Sequence, residues 1–232
     1  MSTIAIITAR GGSKRIPKKN IKEFMGKPMI AYAISSCLDA GIFDEVMVST
    51  DSREIANVAV EYGAQTPFMR SEKTSDDYAT TYDVLEEVIA EYGKRGREFK
   101  NVCCVYPCVP FLNAATLKDA RSQFEGNDAL LPVCKHTPPI EWAMRVENGI
   151  LVPNERRLLK IRSQDIEPKY FDVGMFYFCK TSVLLKEKTL IPQKAVPYLI
   201  DVMECQDIDT YDDWKYAEMK YKILHDKKAG SV

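Results

Sequence analysis

The chain of 232 residues carries 32 Lys and Arg against 33 Asp and Glu, a formal net charge of −1, and 46% of its residues are hydrophobic. These values are typical of a folded globular protein rather than a disordered chain. The near-zero charge argues against a general nucleic-acid binder, which is usually basic, and no apolar run is long enough to span a membrane. The apolar start has no basic segment before it, so we expect no signal peptide.

The first two thirds of the chain alternate between short apolar runs and helical patterns. In chain order the pattern predicts a strand at Thr3–Thr8, a helix at 27–41, a strand at Glu45–Ser49, helices at 52–62 and 78–92, a strand at 102–106, a helix capped by Asn113 that reaches about 124, and a strand at 129–133. This alternation predicts an α/β fold of the doubly wound, Rossmann-like kind, with a mostly parallel sheet and helices on both faces. Ligands of such sheets bind beyond the carboxyl ends of the strands. The loops after Thr8, Ser49 and Tyr106 are therefore the expected site.

The alternation stops at about residue 134. Residues 134–170 contain four prolines and irregular apolar spacing, which predicts an excursion from the sheet that covers the site or forms a subunit contact. A strand at 174–178, a helix from Thr181 and a last helix capped by Thr210 follow, with Asp213 placed to complete a capping box. We expect residues 1–232 to form one domain that includes the excursion.

Seven cysteines are present without a C-x-x-C motif, and most of them lie in apolar stretches. This pattern predicts buried free thiols in a reducing cytoplasm rather than disulfides or a zinc site. The chain has two histidines, so we expect neither a His-rich metal site nor a Ser-His-Asp triad.

Residues 1–22 hold six bases and no acid. The two glycines at 11 and 12 let the backbone approach a ligand, Arg10, Lys14 and Lys19 can neutralise phosphates, and Ser13 can donate a hydrogen bond. The spacing is neither that of a P-loop nor G-x-G-x-x-G. On the residues alone, this basic loop (residues 9–22) binds a triphosphate or is simply solvated.

Residues 201–213 form an acidic block, with six acids and no base. In an extended segment Asp207 and Asp209 point to the same side, so both can reach one Mg²⁺ or Mn²⁺ ion, which prefers oxygen ligands. The alternative is a solvated acidic turn before a helix.

The basic loop reads A-R-G-G-S-K-R-I-P-K-K-N-I-K and is followed by G-K-P-M-I-A-Y-A-I. This sequence resembles the signature of nucleotidyltransferases that activate nonulosonic acids with CTP, a family that includes the CMP-sialic acid synthetases. The resemblance covers nearly the whole chain, and it extends to blocks at 48–51, 67–70, 75–77, 162–165 and 206–210.

The resemblance implies the fold of nucleotide-diphospho-sugar transferases, a cytoplasmic homodimer, and Mg²⁺ or Mn²⁺ on Asp207 and Asp209. It implies in-line attack of the anomeric hydroxyl of the sugar on the α-phosphate of CTP, with catalytic roles for Arg10, Lys14, Lys19 and Asp209. It gives no side-chain general base. The implied contacts to the nucleotide are Ala9, Arg10, Gly11, Gly12, Ser13, Lys14, Lys19, Asn20, Arg70 and Ser75.

The implied sugar site departs from the sialic acid pattern. The family's Gln-Pro-Thr-Ser-Pro is replaced by Y-P-C-V-P from Tyr106, and Arg-Pro-Asn-Gly by F-D-V-G from Phe171. Together with Asp172, these residues predict a less polar pocket, which suits a deoxygenated, di-N-acylated sugar such as pseudaminic acid. Arg162 is the candidate for the sugar carboxylate, next to Gln164. Legionaminic, N-acetylneuraminic and 3-deoxy-octulosonic acids remain open as substrates, as does a non-catalytic nucleotide-binding module.

Overall fold

A mixed seven-stranded sheet forms the centre of the computed structural model, which describes residues 2–229. Two small antiparallel pairs, β2 with β3 and β7 with β8, lie outside it. The strands are β1 (Thr3–Thr8), β2 (Glu23–Phe24), β3 (Lys27–Pro28), β4 (Glu45–Ser49), β5 (Asn101–Val105), β6 (Ala129–Lys135), β7 (Met144–Glu147), β8 (Ile150–Pro153), β9 (Tyr170–Asp172), β10 (Phe176–Lys180) and β11 (Ala195–Leu199).

The order across the central sheet is β11-β6-β10-β5-β1-β4, with β9 added beside β6. Strand β1 runs parallel to both β4 and β5, and β11 runs parallel to β6. Strand β10 is antiparallel to β5 and β6. The predicted, mostly parallel sheet is confirmed, and β1, β4 and β5 end at one edge, which we call the carboxyl edge.

Helices cover both faces of the sheet, as predicted. On one face α1, α2 and α4 pack on side chains such as Ala5 and Ile7 of β1. On the other face α3 and α5 pack on the alternate side chains Ile4 and Ile6. The helices are α1 (Met29–Ala40), α2 (Arg53–Glu61), α3 (Thr81–Lys94), α4 (Ala114–Phe124), α5 (Thr181–Glu187) and α6 (Tyr211–Ala229).

Three elements begin two or three residues later than predicted. Helix α1 begins at Met29 because the two residues before it form β3. Helix α3 begins at Thr81, since Thr80 and Asp83 form a capping box there. Strand β10 begins after Gly174, whose φ of 62° interrupts an extended chain.

The predicted excursion contains the β7–β8 hairpin and short 3₁₀ turns, and the chain rejoins the sheet at β9. Helix α6 begins at the predicted Thr210–Asp213 capping box. All seven cysteines are free, as predicted, and six of them are buried. None of the helices in the described part of the chain is long and apolar enough to cross a membrane.

Candidate active site

Two adjoining cavities of about 370 and 320 Å³ open at the carboxyl edge, and both are lined by Thr8, Arg10 and Pro107. Together they form one crevice beside the loops that follow β1 and β5, two of the three loops where the sequence predicts the site. The other lining residues are Ser13, Lys14, Arg15, Ile16, Lys19, Asn20 and Asp209 in the first cavity, and Arg70, Thr74, Asp76, Asp77, Ala79, Thr80, Thr81, Val84 and Tyr106 in the second.

An apolar cluster beneath the crevice brings the basic loop and the acidic block together. Ile16 of the loop and Ile208 of the block are each 1% exposed and share a cluster with Phe24 and Trp214. Burying one such side chain stabilises a fold by about 1.5–3 kcal/mol. Because Ile208 turns inward, the carboxylates that flank it turn the other way.

Lys19 makes the direct link between the two charged segments. Its Nζ donates to the carbonyl oxygen of Ile208 at 2.6 Å and lies 3.4 Å from Oδ1 of Asp209. The same Oδ1 forms an ion pair with the guanidinium of Arg15 at 2.7 Å. Lys19 and Asp209, both predicted for the site, are therefore neighbours in the structure. Arg15 was not predicted for the site, because nothing in the sequence distinguishes it from the other bases of the loop.

Arg10 and Lys14 share a different carboxylate, that of Asp77. Arg10 donates to Oδ1 of Asp77 at 2.9 Å and to the carbonyl oxygen of Asp76 at 3.2 Å, and Lys14 donates to Oδ2 of Asp77. Hydrogen bonds from Lys14 and then Arg10 hold the pKa of the Asp77 carboxyl below its usual range. Asp77 was not among the residues predicted for the site.

Several predicted nucleotide-binding residues shape the basic loop itself. The amide of Gly11 donates to Asp51 at 2.7 Å, and a Cβ at Gly11 would lie 3.1 Å from Cβ of Ser52, so a larger residue is disfavoured. The amide of Ala9 donates to the carbonyl oxygen of Ser49, the last residue of β4, at 3.0 Å. No heavy atom lies within 4 Å of a Cβ built on Gly12, which leaves space there for a ligand.

Asn20 fixes the two ends of the loop to each other. Its buried side chain donates from Nδ2 to the carbonyl oxygen of Arg10 at 2.9 Å and accepts from the Cys108 thiol at 3.3 Å. Burial raises the pKa of Cys108 to about 12, so the thiol remains a donor at neutral pH. Cys108 is thus a support that the sequence reasoning missed.

Arg70 and Ser75, predicted to contact cytidine, differ in placement. Arg70 lines the crevice, is 8% exposed and donates to the side chain and carbonyl oxygen of Ser49 at 3.1 and 2.6 Å. Burial lowers the pKa of its guanidinium. Ser75 instead donates to the carbonyl oxygen of Ser71 at 2.6 Å and closes a 3₁₀ turn. Contact with a base stays a prediction for both.

The carboxylates of Asp207 and Asp209 are close enough to interact. Partial desolvation of the Asp207 carboxyl, and then the nearby Asp209, raise the pKa of Asp207, and Lys19 opposes that rise. Within residues 2–229 no cluster of three or more His, Cys, Asp or Glu side chains forms a complete metal cage. Mg²⁺ sites commonly use one or two carboxylates and take their other ligands from water and phosphate. The residues present fit that kind of site.

Tyr106 lies in the crevice at the end of a chain of hydrogen-bonding groups. Its hydroxyl is 3.3 Å from Oγ1 of Thr81, and its ring packs against Tyr177 at 5.5 Å. Tyr177 donates to Oδ2 of Asp172 at 2.7 Å, and Oδ1 of Asp172 accepts from the amide of Gly174 at 2.9 Å. Asp172 therefore orients Tyr106 through Tyr177.

The other predicted sugar-binding residues do not line the crevice within this single chain. Arg162 donates to Asp165 at 2.8 Å on the excursion, and Gln164 lies in an exposed 3₁₀ turn. The ring of Phe171 packs on His136 with centroids 4.9 Å apart. Their sugar-binding roles stay predictions.

A family model described as cytidylyltransferase matches residues 4–195. The chain belongs to the cytidylyltransferase family. It is therefore a nucleotidyltransferase, as the sequence predicts. Over 97% of this cytidylyltransferase and 99% of its relative, it is 40% identical to the pseudaminic acid cytidylyltransferase of Campylobacter jejuni.

Two further comparisons place this cytidylyltransferase among related enzymes. It is 29% identical to the CMP-N,N'-diacetyllegionaminic acid synthase of Legionella pneumophila, over 94% of this chain and 95% of the relative. Its fold matches that of a CMP:2-keto-3-deoxy-manno-octonic acid synthetase complexed with CTP, with a TM-score of 0.70, 16% identity, and coverage of 97% and 100% of the two chains. The predicted fold class is confirmed.

Proposed function

We propose that this cytidylyltransferase converts CTP and pseudaminic acid into CMP-pseudaminic acid and pyrophosphate. The observation that carries the proposal is the junction at Lys19, where the basic loop meets the acidic block inside one crevice. The relative with 40% identity, which is named for pseudaminic acid, supports the choice of sugar. The departures at Tyr106 and Phe171 support it as well.

Arg10, Lys14 and Lys19 hold the β- and γ-phosphates of CTP in this proposal. Negative charge develops on pyrophosphate as it leaves, so cations fixed around it stabilise the transition state more than the ground state. Phosphoryl-type transfer of this kind depends on positioning and charge rather than on a protein nucleophile. Asn20 and Gly11 keep the loop in the conformation that presents these cations.

Asp207 and Asp209 would hold Mg²⁺, or Mn²⁺, at the same end of the crevice. A divalent ion bound there supplies positive charge to the α-phosphate and lowers the pKa of the attacking hydroxyl. Before an ion binds, Arg15 and Lys19 neutralise Asp209. The two cations thereby prevent the repulsion that two unpaired carboxylates would cause.

The anomeric hydroxyl of the sugar attacks the α-phosphorus in line with the leaving pyrophosphate. Tyr106 stands at the sugar end of the crevice, oriented by Tyr177. We propose that Arg162 holds the sugar carboxylate and that Gln164, Phe171 and Asp172 contact the sugar; none of these four lines the crevice within one chain. No side-chain general base is assigned.

We also propose a cytoplasmic homodimer joined through the excursion. The β7–β8 hairpin exposes four large apolar side chains, three on one face and Ile150 on the other, and exposed apolar groups of this kind are typical of an interface. A second copy of the chain is the proposed partner.

Sedimentation of the variant Val146→Asp with Ile150→Asp should show a monomer where the wild type is a dimer; a monomeric wild type would contradict the proposal. The exposed side chains are Met144, Val146, Ile150 and Leu151.

The deciding experiment measures pyrophosphate release with CTP against a panel of sugar acids, with Mg²⁺ present. The proposal predicts release that is fastest with pseudaminic acid and slower with legionaminic, N-acetylneuraminic and 3-deoxy-octulosonic acids. Faster release with another sugar acid would keep the reaction and change the substrate. Thermal stabilisation by CTP without any pyrophosphate release would contradict the enzyme and favour a nucleotide-binding module.

A further inference from the structure

A carboxylate of the protein occupies the place in the basic loop where an anionic ligand is expected. Asp77 uses one oxygen for Arg10, at 2.9 Å, and the other for Lys14. A phosphate group bound between these two cations would use its oxygens in the same way. Asp77 and a polyphosphate therefore compete for the same two side chains.

Exposure indicates that this contact contributes little to folding. The side chains are 42% exposed for Arg10, 75% for Lys14 and 50% for Asp77, and ion pairs this exposed to water stabilise a fold weakly. The surrounding segment has its own supports, because Oδ1 of Asp76 accepts from the amides of Tyr78 and Ala79 at 2.9 and 2.7 Å. The segment keeps its turn without the Asp77 carboxylate.

We propose that Asp77 is an internal counter-anion that sets the affinity of the crevice for every polyphosphate that needs Arg10 and Lys14. The inference rests on the proposed function, since it takes the basic loop as the phosphate site. A ligand can use the two cations only after Asp77 has released them. Its apparent affinity is therefore its intrinsic affinity multiplied by the fraction of time that the two cations are free. The factor is the same for CTP and for pyrophosphate, because both displace the same carboxylate.

The equal factor has unequal consequences for substrate and product. CTP gains binding energy from its cytidine as well as from its phosphates, so it still binds when the phosphate contribution is reduced. Once the bond to the α-phosphorus breaks, pyrophosphate has only the loop to hold it. The return of Asp77 to Arg10 and Lys14 then favours its release.

Glu54 provides a matched control for Asp77. Its carboxylate accepts from Lys18 of the same loop at 2.8 Å, with side-chain exposures of 67% for Lys18 and 55% for Glu54. Asp77→Asn and Glu54→Gln therefore each remove one negative charge that pairs with cations of the same loop. They differ in that Lys18 does not line the two main cavities of the crevice.

The test measures binding of inorganic pyrophosphate, CTP and cytidine to the full chain by calorimetry, in buffer without divalent ions. For Asp77→Asn we expect about three- to tenfold tighter binding of both pyrophosphate and CTP, by equal factors, as befits the loss of two exposed ion pairs. Cytidine should bind as it does to the wild type. Glu54→Gln should change none of the three affinities by more than about twofold.

Unchanged or weaker binding of pyrophosphate to Asp77→Asn, in a protein that still binds CTP, would overturn this inference alone. Equal tightening in Asp77→Asn and Glu54→Gln would overturn it too, since the effect would then come from net charge rather than from displacement. A wild-type chain that binds neither CTP nor pyrophosphate would overturn the proposed function and this inference together.

Discussion

The two edges of the central sheet differ in what their cavities are made of. At the carboxyl edge the crevice is lined by cations and carboxylates from distant parts of the chain. At the opposite, amino edge lies a cavity of about 560 Å³ with apolar walls that include Ile89, Phe99 and Leu185. Charged groups near it form ion pairs with each other, such as Arg97 with Glu45 at 2.8 Å.

The difference teaches that the chemistry of the lining side chains distinguishes the functional site from the other cavity in this fold. Loops at the carboxyl edge follow the parallel strands and are free to bring in side chains for a ligand. At the amino edge, backbone groups form hydrogen bonds with one another. The amide of Lys100 donates to the carbonyl oxygen of Ser2 at 3.0 Å, and the amide of Thr181 donates to the carbonyl oxygen of Lys100 at 2.9 Å. We therefore expect substitutions at the two edges to act on different quantities.

The largest effect is expected for Asp209→Asn at the carboxyl edge. Loss of this carboxylate should lower kcat for metal-dependent pyrophosphate release by about 10²- to 10³-fold, as removal of one electrostatic contact at a reacting centre does, and leave the fold intact. Asp212→Asn is the control, since Asp212 of the same acidic block pairs with Lys215 on α6 at 3.3 Å. Wild-type turnover in Asp209→Asn would remove the metal assignment.

Lys19→Ala should have the next largest effect. Charge-assisted hydrogen bonds contribute about 1.5–3 kcal/mol, so we expect KM for CTP to rise by about tenfold or more. Lys18→Ala, which removes a neighbouring lysine that pairs with Glu54, should leave KM nearly unchanged. Steady-state kinetics with varied CTP make the comparison, and identical constants for the two variants would return Lys19 to the solvated-loop alternative.

At the amino edge, Thr181→Ala should change stability without changing kinetics. The Thr181 hydroxyl donates to the carbonyl oxygen of Phe99 at 2.7 Å, and loss of one such bond costs about 1 kcal/mol. For a chain of this size the melting temperature should fall by about 2–4 °C. Calorimetry and the pyrophosphate assay are run on the same sample. A changed kcat/KM would mean that the amino-edge cavity takes part in function.

The smallest effect concerns Asp83, a carboxyl-edge residue with a structural role. Hydrogen bonds from the side chain and then the backbone of Thr80 lower the pKa of Asp83 in the folded state. Its contribution is present above the unfolded pKa of about 3.9 and is lost as the pH falls through the lower, folded pKa. Asp83→Asn should cost about 0.5 kcal/mol at neutral pH, and denaturant titrations should show this difference vanish in acid. A difference that persists there would contradict the capping role.

Much of the carboxyl edge could be predicted from the sequence, because its signals are local. The apolar runs define β1, β4 and β5, and the charge blocks around Lys19 and Asp209 are visible as runs of like charge. The reversed direction of β10 was not predicted, since an isolated apolar strand carries no sign of its direction. Strands β9 and β11 are short or half-exposed and give weak periodicity.

The side-chain partners inside the site could not be predicted, because they depend on loop conformation. Asp77 stands in an acidic pair, and nothing in that pair distinguishes the residue that contacts Arg10 and Lys14 from Asp76, which caps the turn. Arg162 was predicted to bind the sugar from the resemblance, and in one chain it pairs with Asp165.

The central claim is that the basic loop and the acidic block serve one bound triphosphate, and a double-mutant cycle tests it most directly. Lys14 and Asp209 have different partners in the structure, Asp77 for the first and Arg15 with Lys19 for the second. The cycle compares kcat/KM for CTP in Lys14→Ala, Asp209→Asn and the double variant. Groups that act on a shared ligand are non-additive, so the double variant should lose clearly less than the product of the two single losses. A loss equal to that product would contradict a single site.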